Sequence, residues 1–191
     1  VYISKMSNIL LNSLKKFYEI PDNKQKLFDI VNNTNNISLR IIDWFVTNYS
    51  KKNNTSFMIY EKDGKKMLDF NNSNSNSKKF NTYYSYKSQL KSYSKKRFDP
   101  FCRRDRIEFK IDDEEIISTM GQLNFFKWAI NNLIIDYIEI NYKEIEDDMN
   151  ICYNSINKIK EKNTRKKRQE ISKSASRGLN TNNIKVVIDF N

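Results

Sequence analysis

Histidine is absent from this chain, cysteine and proline occur twice each, and glycine only three times. Without histidine there is no base for a Ser-His-Asp or Cys-His nucleophilic site. With no histidine and two widely separated cysteines, Cys102 and Cys152, a zinc site lacks ligands, and no metal or cofactor is expected. The cysteines read as reduced intracellular thiols, a single disulfide being the alternative. There is no glycine-rich phosphate loop and no dinucleotide fingerprint. Turns must rest on Asn, Asp and Ser, and Asn is abundant. No apolar run reaches membrane-spanning length and no signal peptide is visible, so an intracellular protein without a membrane partner is expected.

What is present is aromatic and basic. Of 191 residues 38% are hydrophobic and 13% aromatic, enough for a real core in one domain, and the formal charge is +11. A+T-rich coding alone favours Lys, Asn, Ile, Tyr and Phe. It does not explain the arginines, six of which fall in two clusters: Arg97, Arg103, Arg104 and Arg106, then Arg165 and Arg168. Nor does it explain the blocks. Residues 78–106 carry ten basic and two acidic side chains, residues 112–148 two basic and ten acidic, and residues 158–177 nine basic and two acidic. Such a pattern suits a polyanion partner. The alternative is that the blocks neutralise each other inside the fold.

The first basic block centres on YYSYKSQLKSYSKKRFDPFCRRDR at 83–106. The spacing predicts a helix over 81–97. Tyr83, Tyr86, Leu90 and Tyr93 form its packing stripe, Lys87, Lys91 and Lys95 a second stripe beside it, and Asp99-Pro100 its end. Tyr83, Tyr84, Tyr86, Tyr93, Phe98 and Phe101 are either base-stacking groups or core, core being the commoner use. The nucleic-acid-binding candidates are Lys87, Lys91, Lys95, Lys96, Arg97, Arg103, Arg104 and Arg106, with Arg165, Lys166, Lys167 and Arg168 as a second group. That second group also has the form of a nuclear localisation signal or of a solvated helix end. A much weaker pattern is Glu108-Phe109-Lys110 on a strand, with Asp99 and Asp105 upstream, as in a magnesium-dependent nuclease.

Elsewhere, helices are expected over 7–18, 24–32 and 37–49, the last capped by Ser38. Met6-Ser7-Asn8 reads as the start of translation, with residues 1–5 upstream of it. A hairpin is expected at 56–70, turning at Asp63-Gly64. Residues 71–79, NNSNSNSKK, read as a flexible loop, and residues 107–111 as a strand. Thr119-Met120-Gly121-Gln122 has the form of a capping box opening a core helix. A long helix follows from about 133 to 162, then a basic polar segment at 163–183 and a strand at 184–190. The expected architecture is a single α+β domain over 6–191. It is mainly helical, with one small antiparallel sheet made of the hairpin, the 107–111 strand and the C-terminal strand.

Three segments, LRIIDWFVTNYSKKN at 39–53, YKSQLKSYSKKRFDPFCRR at 86–104 and GQLNFFKWAI at 121–130, resemble an uncharacterised protein family of nucleocytoplasmic large DNA viruses, of the giant-virus and chlorovirus-like groups. The resemblance continues through RKKRQEISKSASRGLNTNNIKVVIDF at 165–190. It brings no catalytic residues with it. It implies a viral source, expression in an infected cell (cytoplasm, virus factory or nucleus) and a place in the virion. The leading expectation is therefore a non-enzymatic basic viral protein that binds DNA or RNA, in genome packaging or viral gene expression. The alternatives are a virion assembly protein contacting acidic viral protein partners, and the nuclease. Oligomeric state is not legible.

Overall fold

The computed structural model describes residues 2–32, 34–71, 74–93, 95–101, 106–112 and 114–162, with side chains between Asn8 and Ser155 except that of Lys95. The chain forms two compact units, residues 1–151 and 152–191. The account below concerns the first. Of the second, only the helical run up to Lys162 lies among the described residues, so the expected strand at 184–190 falls outside them.

Two helices open the chain, α1 (Tyr2–Tyr18) and α2 (Pro21–Asn32). The second begins at Pro21, three residues before the expected Lys24. Proline is well suited to a first helical position, where its missing N–H would have had no partner, so Pro21 starts this helix as well as ending the one before. A third helix is built in three parts: α3 (Leu39–Trp44), a π-helical turn (Phe45–Tyr49) and α4 (Ser50–Lys52). Ser38 accepts from the Ile41 N–H and caps it, as its residue type suggested.

The hairpin is β1 (Ser56–Lys62) and β2 (Lys65–Leu68). Asp63 and Gly64 both have positive φ, 53° and 74°, the backbone of a two-residue type I′ turn. A third strand, β3 (Lys78–Asn81), pairs with the other side of β1, giving the order β2-β1-β3. This corrects the expected 71–79 loop at its end, where Lys78 and Lys79 are strand residues. The Asp69 carboxylate, buried at 6% exposure, also ties part of that loop by accepting from the Asn74 N–H and the Ser77 hydroxyl. Polar composition concealed that part of the segment is held by hydrogen bonds to the preceding Asp69.

The expected single helix at 81–97 is α5 (Thr82–Tyr93) followed by α6 (Lys95–Phe98). The 107–111 strand exists as β4 (Ile107–Ile111), but it does not join the hairpin sheet. It pairs with β5 (Glu114–Ser118) in a separate two-stranded sheet. β5 was hidden in the acidic run because only Ile116 and Ser118 face inward, and alternation over so few residues is a weak signal.

At the centre stands α7 (Met120–Asn131), whose Leu123, Asn124, Phe125, Phe126, Trp128, Ala129 and Ile130 are all buried. A helix buried over most of its surface, with Lys127 and Asn131 reaching outward, must be packed on several sides, and packing against this one organises the rest. The Tyr18 hydroxyl donates to the Leu123 carbonyl at 2.8 Å, a buried tie between α1 and α7. Thr119 accepts from the Gln122 N–H, but Gln122 takes the Ser118 hydroxyl instead of reaching back to a backbone N–H, so the capping box is half made. The long helix expected from 133 is two, α8 (Ile134–Ile140) and α9 (Tyr142–Lys162). They part at Asn141, whose side-chain amide and backbone N–H both donate to the Tyr137 carbonyl.

Candidate functional site

The basic segment is clamped to the central helix from beneath. Phe98 is fully buried among Tyr86, Phe125 and Trp128, with ring centroids 5.9, 5.7 and 5.5 Å away. The Trp128 indole N–H donates to the Ser85 hydroxyl at 3.1 Å, holding α5. The buried Asn124 amide donates to the Arg97 carbonyl at 2.9 Å, holding α6. Gly121 permits the close approach of the two helices. A Cβ there would lie 2.9 Å from the Asp99 carbonyl oxygen and 3.3 Å from that of Lys96. The aromatic residues of this segment therefore divide. Tyr86 and Phe98 are core, whereas Tyr84 and Phe101 are 69% and 53% exposed, and Tyr93 is partly exposed while stacking on Phe98.

From Phe70 to Phe98 the chain contains no acidic residue. On α5, Tyr84, Lys87, Ser88, Lys91 and Ser92 are exposed while Thr82 and Tyr86 are buried, as the 100° step of a helix requires of one outward face. Sequence periodicity found the Lys87 and Lys91 stripe but assigned Tyr84 no separate place. The same wheel would have set it outward, opposite Tyr86. Lys51 of α4 was not among the sequence candidates; its ammonium lies 5.8 Å from the centre of the Tyr83 ring, and Tyr83 packs edge-on against Tyr84 at 5.8 Å.

The acidic block spends its charge elsewhere. Asp112 and Glu114 meet Lys24 at 2.9 and 3.6 Å, Glu115 meets Lys110 at 3.5 Å and Asp136 meets Lys26 at 2.6 Å. Asp148 of α9 receives both the Lys52 ammonium and the Trp44 indole N–H, and Glu144 receives the Tyr49 hydroxyl. Among the described residues no ion pair reaches Lys87, Lys91, Lys96, Arg97 or Arg106. Lys87, Lys91, Lys96 and Arg106 are exposed and Arg97 is half-buried. Arg103, Arg104, Arg165, Lys166, Lys167 and Arg168 lie outside the described residues, as does the side chain of Lys95.

The carboxylates of the nuclease pattern sit apart in role. Glu108 and Lys110 both point to solvent from β4, with Lys110 engaged by Glu115 across the strand pair. The Asp99 carboxylate accepts from the Phe101 N–H at 2.9 Å, and Asp105 is outside the described residues. Among the described residues no group of three or more acidic or cysteine side chains is placed to hold a metal ion. Asp43 of α3 is the carboxyl group most altered by its surroundings. Burial, and secondly the charge of Asp99, push it up to about 6. Burial first, then the charges of Asp43 and Asp99, push the nearby Tyr86 hydroxyl up to about 12.

No described helix is long and apolar enough to cross a membrane. No solved structure matches the chain at a significant level. An uncharacterised protein of Acanthamoeba polyphaga mimivirus is 42% identical over 173 residues, which cover 86% of this chain. The chain spans about three fifths of the length of that relative, the match covering 61% of it. Residues 2–164 match the family of unknown function DUF7197, a span that takes in α1 to α9 and every strand described above, and the chain belongs to that family.

Proposed function

We propose that this chain is a non-enzymatic viral protein that binds nucleic acid through the outward side of α5 and α6, acting inside the infected cell in genome packaging or viral gene expression. The observation that carries the reading is the separation of charge. The acidic residues with ion pairs, Asp22, Asp112, Glu114, Glu115, Asp136 and Asp148, pair with lysines of other elements. The cations of the 78–97 run have no acidic neighbour in sequence from Phe70 to Phe98. Lysines left unneutralised on a firmly packed helix attract phosphates, and each phosphate contact releases counterions, so binding is steeply salt-dependent and tolerant of sequence.

The test is affinity of the full chain for duplex DNA, single-stranded DNA and RNA over a salt series, with and without magnesium. Affinity that falls as salt rises, and that drops at least tenfold in a Lys87→Glu/Lys91→Glu/Lys96→Glu variant, supports the reading. Absence of binding at low salt overturns it and directs the search to a protein partner of the virion. Strand cleavage that appears only with magnesium overturns its non-enzymatic part.

A further inference from the structure

The outer face of α5 carries an aromatic side chain that phosphate binding does not use. Tyr84 is 69% exposed, the most exposed aromatic side chain among the described residues. Its ring touches Tyr83 edge-on, at 5.8 Å and 64°, and among the described residues its hydroxyl has no hydrogen-bond partner. Tyr83 is in turn set beneath the Lys51 ammonium at 5.8 Å. The Asn81 carboxamide caps the helix by accepting from the Tyr84 N–H at 3.1 Å, and the same side chain donates to Asn54 at 3.1 Å. The backbone under Tyr84 is therefore anchored on both sides while its ring stands in solvent.

We propose that this face is a single-strand-binding surface, on which Tyr84 stacks against an unpaired base while Lys87 and Lys91 neutralise the adjoining phosphates. The proposal rests on the nucleic-acid reading above and specifies its ligand. Tyr84, Lys87 and Lys91 stand at i, i+3 and i+7, one stripe whose two lysines are about 6 Å apart along the helix axis, close to the step between phosphates of an extended strand. In a duplex the faces of the bases are covered by their neighbours, so a protruding ring gains nothing there. On a single strand each base offers a face, and stacking of this kind tolerates any sequence. DNA and RNA share that chemistry. An acidic peptide offers charge without a flat ring system, which leaves Tyr84 without a role.

The experiment measures anisotropy of labelled dT15, rU15 and a 15-base-pair duplex with the full chain and with Tyr84→Ala, Tyr84→Phe and Lys87→Glu/Lys91→Glu. The expected result is that Tyr84→Ala weakens dT15, rU15 or both roughly tenfold, as one lost stacking contact does, changes duplex affinity less than twofold, and is rescued by Tyr84→Phe. The two oligonucleotides decide between DNA and RNA. A Tyr84→Trp variant gives a direct readout, with quenching of the added indole fluorescence by the single strand and not by the duplex. Equal loss on duplex and single strand, no loss at all, or competition by polyglutamate as strong as by dT15 overturns the stacking role while Lys87→Glu/Lys91→Glu still reports on phosphate binding. Failure of the unmodified chain to bind any of the three overturns the broader reading as well.

Discussion

The side-chain amide of Asn124 reaches 2.9 Å across from the central helix to the carbonyl oxygen of Arg97. One residue of a buried apolar helix thus fixes the backbone of the most basic stretch of the chain. Asn124 is only 5% exposed, so its polarity is justified by this bond. Replacing it with Ala leaves the Arg97 carbonyl short of a partner and opens a small void. The expected cost is about 1–3 kcal/mol in denaturant unfolding, and Asn124→Leu, which fills the space without a donor, does not restore the loss.

Gly121→Ala is expected to destabilise the fold although alanine is the better helix former by about 1 kcal/mol. Its Cβ would stand 2.9 Å from a backbone oxygen that no side-chain rotation can move. Relief requires α6 and α7 to separate, at roughly 1–3 kcal/mol as for other overpacked sites. Thermal melting read beside a control substitution, Ser88→Ala on the exposed face of α5, separates the clash from helix propensity.

Asp43 sets a pH dependence. Its folded value of about 6 lies above the ordinary carboxylate value of 3.8, so the folded state holds the proton more tightly than the unfolded chain. That contribution is fully present below about pH 4, falls away as pH rises through 6, and is absent above. The partial exposure of the group screens the effect to roughly 1–2 kcal/mol. Asp43→Asn is therefore expected to raise the melting temperature by a few degrees at pH 7.5 and to leave it unchanged at pH 3.5. An equal gain at both pH values would show that the charge is not the cause.

Asp148→Ala removes the acceptor of both the Trp44 indole N–H and the Lys52 ammonium. The side chain of Asp148 is 13% exposed against 63% for Lys52, so most of the loss falls on the indole, which is left without a partner. A cost of about 1–3 kcal/mol is expected, most of it recovered by Asp148→Asn, which keeps an acceptor without the charge. Equal damage from the two substitutions would place the weight on the ion pair instead.

Much of the fold was written in local chemistry. The Asp63-Gly64 turn, the Ser38 cap, the apolar run of α7 and the stop at Asp99-Pro100 each follow from one or a few residues whose preferences are strong and short-ranged. What escaped was non-local. β3 and β5 are short and polar, and each exists because a neighbouring strand supplies hydrogen bonds that sequence pattern does not display. The break at Asn141 escaped because the apolar spacing runs on through it, while the turn there, with the Asn141 amide on the Tyr137 carbonyl, leaves no mark on that spacing.

The same division runs through the candidate site. Composition and residue order alone establish that the chain is basic, that its charge lies in blocks, that it holds no histidine, and that Lys87 and Lys91 share a helical face. These are properties of composition and of the 100° step between helical residues. Packing decided the aromatic rings that periodicity does not reach: Phe98 is core while Phe101, the same residue type three positions on and past the end of α6, stands free. It also decided where the acidic block finds its cations. Ion pairing acts over a few ångströms, and which side chains come that close depends on the packing of α2, α4 and α9, which no run of charges along the chain encodes.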